Sequence, residues 1–107
     1  MDLALTDARV VVTGGASNIG RGIVHGFARE GARILLADRD GEQAARVRAE
    51  ALDLGAGALE VLEIDLTTEG AGGRVVGTAV DAWGGVDVLV NNAGWSAPGF
   101  LTEQTDR

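Results

Sequence analysis

Hydrophobic positions along the chain fall into two alternating kinds of stretch. Short, nearly continuous apolar runs occupy Arg9–Thr13, Ala32–Ala37, Leu59–Leu66 and Val86–Val90. Between them lie longer stretches whose apolar residues recur at helical intervals. The run RVVVT has apolar side chains at successive positions, the pattern of a strand covered on both faces. Asn18–Glu30 reads as a helix with Ile19, Ile23, Val24, Phe27 and Ala28 on one face, and Gly31 is placed to stop it. After the second strand, Asp40 can cap a helix over Gly41–Leu54, with Gln43 at the reciprocal capping position and Gly55 and Gly57 past its end. Leu59–Leu66 half-alternates, as an edge strand does. A third helix is predicted from Thr67 or Thr68 to Trp83. Gly70, Gly72, Gly73 and Gly77 weaken it, each by about 1 kcal/mol relative to alanine where it lies in the helix interior. Val86–Val90 is the fourth strand. NNAGWSAPGFLTEQTDR follows as a loop holding the only proline, with a helix start after Thr102.

The order β-α-β-α-β-α-β predicts a parallel sheet joined by right-handed helical crossovers. Neither a repeat of fixed period nor a linker divides the 107 residues, so one domain over 1–107 is predicted. Apolar content of 46% with glycines scattered between the runs is that of a globular chain. The net charge of −7 argues against binding to nucleic acid or to anionic membranes. Cysteine is absent, which excludes disulfides, thiolate catalysis and cysteine-based zinc sites in this chain. The single histidine, His25, excludes a histidine metal cluster and is predicted to be a surface or half-buried packing residue. No apolar run approaches the roughly 20 residues that span a bilayer. MDLALTDARV has no basic region of the kind that opens a secretory signal, so a soluble cytoplasmic protein is expected.

Candidate chemistry lies at the first strand-to-helix turn, within VVVTGGASNIGRG. Amides in the first turn of a helix lack partners within it, and the helix dipole adds partial positive charge there. A pyrophosphate is the natural guest. Gly14 permits the tight turn, Ser17 can donate from its hydroxyl, and Gly20 and Gly22 allow the helix to approach ligand and strand closely. A phosphate-loop reading fails, because Arg21 stands where that motif needs lysine and Gly22 where it needs a hydroxyl. Asp38 lies 18 residues beyond Gly20 at the end of a strand, where a carboxylate can accept both ribose hydroxyls of an adenosine. It would also repel a 2′-phosphate, which favours NAD over NADP. Arg39 pulls the other way, since a guanidinium there could pair with that phosphate.

With TGGASNIG at 13–20, Asp38 after the second strand, Asp65-Leu66 after the third and Asn91-Asn92-Ala93-Gly94 after the fourth, the chain resembles the short-chain dehydrogenase/reductase family. The resemblance implies a Rossmann-type sheet of order 3-2-1-4, here truncated after the fourth strand. It implies that Gly14, Ser17, Asn18, Ile19 and Gly20 surround the pyrophosphate and ribose and that Asp38 takes the adenosine ribose. Asp65 and Leu66 would flank the adenine. Asn92, Ala93 and Gly94 would lie along the nicotinamide-side ribose, with Asn91 bracing the sheet. Asn18 replaces the middle glycine of the family's T-G-x-x-x-G-x-G, a departure that asparagine's tolerance of left-handed backbone accommodates.

Members of that family move hydride between a nicotinamide and a carbonyl or alcohol, using a tyrosine, a nearby lysine, a serine and a helix-borne asparagine. This chain has no tyrosine, and all nine of its basic residues other than His25 are arginines. Ser96 follows NNAG too closely to match the family's serine. The chain is therefore expected to be the cofactor-binding half of an oxidoreductase and inactive alone. The alternative is a non-catalytic truncated paralogue that binds nucleotide or other proteins. A methyltransferase-like or flavodoxin-like domain is disfavoured by NNAG. Two helices on one sheet face against one on the other, with VDVLV as an edge, predict an exposed apolar surface and homo-oligomerisation or association through the fourth strand. Trp83 is expected to pack at the end of the third helix and Trp95 to lie in the loop on the substrate side.

Overall fold

In a computed structural model of the chain, residues 5–92 are described. The elements are β1 (Arg9–Thr13), α1 (Asn18–Arg29), β2 (Arg33–Asp38), α2 (Gly41–Leu54), β3 (Ala58–Glu63), α3 (Ala71–Trp83) and β4 (Val88–Asn91). The strands form one sheet of order β3-β2-β1-β4, and each neighbouring pair runs parallel. Register aligns Thr13 with Ala37 on one side and with Asn91 on the other, so the ends of β1, β2 and β4 open at one edge. The chain turns to opposite sides of β1 at this edge, as β2 and β4 flank it. Such a switch point is where open α/β sheets bind ligands.

Helices on both sheet faces explain the uninterrupted valines of β1. Val10 and Val12 face one core with Val24 and Ala28 of α1 and Ala44, Val47 and Ala51 of α2. Val11 faces the other core with Ala71, Val75 and Ala79 of α3, together with Leu35, Ala37 and Ile64. Burying such a valine or leucine side chain is worth roughly 1.5–3 kcal/mol. The predicted imbalance of two helices against one is therefore present. On β4, Val88, Leu89 and Val90 are half-buried, Val88 and Val90 against the first core and Leu89 against the second. Among the described residues the exposed large apolar side chains are Ile19, Leu52 and Val80, which stand on three different helices. Trp83 packs partly buried against the α3-side core, as expected. Trp95 lies outside the described residues.

β2 runs Arg33–Asp38 instead of Ala32–Ala37 and β4 Val88–Asn91 instead of Val86–Val90, and three further boundaries move for local reasons. β3 ends at Glu63 instead of Leu66, because Asp65 turns the chain. Its Oδ1 accepts hydrogen bonds from the Thr67 amide at 2.9 Å and the Thr67 hydroxyl at 2.6 Å, closing an Asx turn. α3 starts at Ala71 instead of Thr67 or Thr68, since Gly70 enters the left-handed region at φ 81° and its cap has no side-chain bond. α1 ends at Arg29 and not Glu30, the chain reversing at Gly31 with φ 79°. The capping box of α2 is half made. Asp40 accepts from the Gln43 amide, but the Gln43 side chain accepts from Arg46, and the Asp40 amide donates to Asp38 Oδ1.

At the far end of the sheet, Arg9 and Asp87 form a two-pronged ion pair, with bonds of 3.0 and 2.9 Å from Nε and Nη2. The Arg9 amide adds a third bond to Asp87 Oδ2 at 2.8 Å. These hydrogen bonds from Arg9 hold the Asp87 carboxyl well below the usual carboxylate range. A carboxyl whose pKa falls on folding contributes stability above its unfolded value, and that contribution is lost as pH drops toward the folded one. Glu50 is shifted the same way, by hydrogen bonds from Arg21 and then His25. The melting temperature is accordingly expected to hold steady near neutrality and to fall below about pH 4. In Asp87→Asn it should start lower at neutral pH and decline less on acidification. Parallel melting curves for the two proteins across pH 7 to 3 would overturn this role.

Candidate functional site

The loop between β1 and α1 is organised around the carbonyl oxygen of Gly14. That residue takes φ 68°, a left-handed conformation that glycine adopts without strain. Its oxygen accepts from the Ser17 amide at 3.2 Å, the Ser17 hydroxyl at 2.9 Å and the Asn92 side-chain amide at 3.1 Å. Ser17 caps α1 by accepting from the Gly20 amide at 3.1 Å, and it accepts a further bond from Asn92 Nδ2 at 2.9 Å. In this arrangement the hydroxyl donates within the loop, to the Gly14 carbonyl. Ser17 shapes the loop from within.

Asn18 is the first residue of α1, and the left-handed position of the loop is Gly14. The glycine the family places at 18 is thus not demanded by backbone angle, and asparagine's tolerance of that region is not called on. Gly20 is demanded by space. A β-carbon there would collide with the Gly14 carbonyl oxygen and come within 2.8 Å of Gly15 Cα. The anticipated need for glycine at 22 is not seen, as a β-carbon at Gly22 meets nothing within 4 Å.

The amides of Asn18 and Ile19 open the helix without a protein partner among the described residues. They face the position where the helix dipole favours an anion. Ile19 is 71% exposed beside them.

Asp38 is held at the end of β2 by two backbone amides. Its Oδ2 accepts from the Ala16 amide at 3.0 Å, and Oδ1 accepts from the Asp40 amide at 2.9 Å. The carboxylate thereby ties the glycine loop to the β2–α2 turn, and each oxygen keeps a lone pair for a further donor. Gly14, Asp38, Arg39, Ile64 and Leu66 line a cleft of about 140 Å³. Arg39, Glu63, Ile64 and Asp65 line an adjoining one of about 350 Å³. Asp65 is held below the ordinary carboxylate range by the Thr67 hydroxyl first, then the Thr67 amide, with the charge of Arg39 contributing.

At the β4 side the Thr13 hydroxyl lies 3.0 Å from Asn91 Oδ1 and 3.3 Å from the Val90 carbonyl, so Asn91 braces the sheet as the resemblance implies. Asn92 turns its amide into the glycine loop. Ala93 and Gly94 lie outside the described residues. His25 lies on the far flank of α1, 2.9 Å from Glu50, which Arg21 also grips at 2.9 and 2.6 Å. This network joins α1 to α2 and takes no part in the site.

Gly14, Ser17, Gly20, Asp38 and Asn92 are thus connected in one hydrogen-bonded assembly, with Asn18 and Ile19 at its mouth and Leu66 across the cleft. Sequence reasoning missed Ala16, whose backbone amide holds Asp38. No side-chain pattern marks such a contact. It also missed Glu63, which the register places opposite Asp38.

The sequence profile of the family described as short chain dehydrogenase matches residues 8–107. The sorbitol dehydrogenase of Cereibacter sphaeroides is 37% identical over 91 residues, covering 85% of this chain and 34% of that protein. The 1,6-dihydroxycyclohexa-2,4-diene-1-carboxylate dehydrogenase of Acinetobacter baylyi is 44% identical over 92 residues, covering 83% and 34%. Among solved structures, the NADH-dependent reductase A1-R′ complexed with NAD superposes with a TM-score of 0.79 at 29% identity, covering 88% of this chain and 39% of that one. The short-chain type dehydrogenase/reductase from Mycobacterium ulcerans gives 0.76 at 33% identity, covering 86% and 34%. The chain spans about a third of the length of the curated relatives it matches. Together with the 3-2-1-4 sheet and the glycine loop at its switch point, these matches show that the chain belongs to the short chain dehydrogenase family.

Proposed function

We propose that this chain forms the dinucleotide-binding part of an oxidoreductase that moves hydride between a nicotinamide and a carbonyl or alcohol, with NAD preferred over NADP. The observation that carries the reading is the junction of Asp38 with the glycine loop through the Ala16 amide. In support, a carboxylate able to accept from ribose hydroxyls stands beside helix amides that, among the described residues, lack partners and could donate to a pyrophosphate. The donor set fits the cofactor: neutral N–H groups and a glycine approach for the phosphates, and a carboxylate for the diol. When bound, the nicotinamide supplies the hydride acceptor or donor.

The residues of this chain have binding and positioning roles. Asn18 and Ile19 present amides to the phosphates, Asp38 orients the adenosine ribose, and Asp65 and Leu66 bound the adenine side of the cleft. Asn92 ties the loop to the β4 side, and the resemblance assigns Ala93 and Gly94, outside the described residues, to the nicotinamide ribose. With neither tyrosine nor lysine in the chain, it holds none of the proton-transfer groups the family uses. The second reading is a nucleotide-binding module without turnover. A carbonyl or alcohol substrate, residence in the cytoplasm and self-association through β4 belong to the same proposal. Among the described residues no helix is long and apolar enough to cross a membrane.

Calorimetric titration with NAD is expected to show saturable one-site binding in the micromolar to millimolar range, with no hydride transfer to or from simple alcohols and ketones. Absence of saturable binding overturns the cofactor reading. Turnover by this polypeptide overturns the assignment of inactivity and leaves the binding reading intact.

A further inference from the structure

Arg39 lines the same cleft as Asp38 and brings a positive charge to it. Together with Ile64 it stands between the two adjoining clefts, Asp38 on one side and Glu63 and Asp65 on the other. A guanidinium next to the ribose carboxylate would ordinarily attract a phosphate monoester at the 2′ position. Arg39 makes no direct ion pair among the described residues, so nothing holds it away from such a ligand by contact. The balance of charge around it decides.

Glu63 is the least expected member of that balance. It pairs with Asp38 across β2 and β3. Its carboxylate lies over Gly41, the first residue of α2, so closely that a β-carbon there would come within 2.8 Å of Glu63 Cδ. This glycine lets Glu63 lie against the turn that carries Arg39. Asp65 lines the same cleft as Arg39 and Glu63, and the charge of Arg39 contributes to its depressed pKa.

We propose that Glu63 is a specificity-determining residue: with Asp65 it cancels the attraction of Arg39 for a 2′-phosphate, so the cleft selects a dinucleotide whose 2′-hydroxyl is free. This rests on the cofactor reading above. It differs from an account in which Asp38 alone excludes NADP, because it requires the NADP affinity to rise when Glu63 is neutralised and Asp38 is untouched. A unit charge several ångströms away in a solvent-exposed cleft shifts binding of an anion by about three- to tenfold, and salt screens the effect.

Glu63→Gln keeps the shape of the side chain and removes its charge. Titrated calorimetrically with NAD and NADP in turn, it is expected to bind NADP about three- to tenfold more tightly than the parent chain. NAD affinity should stay within about twofold. The gain should shrink at high salt and vanish in Glu63→Gln/Arg39→Gln. Unchanged NADP affinity in Glu63→Gln, while NAD still binds, overturns the proposal and leaves the cofactor reading standing. A gain that survives removal of Arg39 also overturns it. Binding of neither dinucleotide by the parent chain removes the cofactor reading and this inference with it. Should Glu63→Gln melt well below the parent, Glu63→Ser provides the same charge removal with a side chain too short to crowd Gly41.

Discussion

Gly20→Ala is expected to abolish measurable NAD binding and to lower stability by about 1–3 kcal/mol, the range for overpacking a filled site. A helix interior ordinarily gains about 1 kcal/mol when alanine replaces glycine, so the sign depends on space. Here the added carbon meets the Gly14 carbonyl oxygen and Gly15 Cα, both backbone atoms that no rotamer change can move aside. Relief would require the start of α1 to pull away from the loop, separating the Asn18 and Ile19 amides from the turn that aims them. Gly22→Ala is the control. Nothing lies within 4 Å of its β-carbon, so the same exchange one residue pair further along should leave binding intact and leave stability unchanged or improved. Thermal melts and NAD titrations of both variants check the pair. Binding at the parent affinity in Gly20→Ala would show that the amides at the mouth of α1 do not hold the ligand.

Asp38→Ala should weaken NAD binding by at least about tenfold, as expected when charge-assisted hydrogen bonds worth roughly 1.5–3 kcal/mol each are removed. Part of the effect is internal. The Ala16 and Asp40 amides lose their acceptor together, and Ala16 is buried, so its amide has poor access to replacement water. An unsatisfied buried donor costs about 1–3 kcal/mol, which a melting curve would register before any ligand is added. Asp38→Asn separates the two contributions. It retains one acceptor for a loop amide while losing the charge, so it should melt closer to the parent than Asp38→Ala does and still bind NAD poorly. Equal NAD affinity in all three proteins would remove Asp38 from the site.

What the sequence made legible is what depends on side-chain periodicity. The valine run of β1, the spacing of Val24 and Ala28 on α1 and the glycine stops at Gly31 and Gly55 are local patterns, and the elements followed from them, whereas the strand order came with the family resemblance. The start of α3 was misjudged because threonines and glycines at 67–73 satisfy turn and helix alike. The decision lay with Asp65, whose carboxylate captures Thr67 and consumes the residues before Gly70. At the site, the residue types were readable and the direction of their hydrogen bonds was not. Ser17 could donate outward or inward with equal chemical sense until the Gly14 carbonyl was placed 2.9 Å from it. Glu63 was invisible for another reason: an acidic residue on an edge strand is ordinary, and only the register sets it opposite Asp38.

The bond from Asn92 to Gly14 spans 78 positions of sequence and links the first strand's exit to the last one's. Beside the Thr13–Asn91 contact, the Asn92 carboxamide acts as a strut across that seam. A pull on the backbone just past Asn92 reaches the start of α1 through two hydrogen bonds, from Asn92 to Ser17 and from Gly20 to Ser17, without passing through either core. Whatever follows the fourth strand in space is mechanically in series with the opening of the first helix.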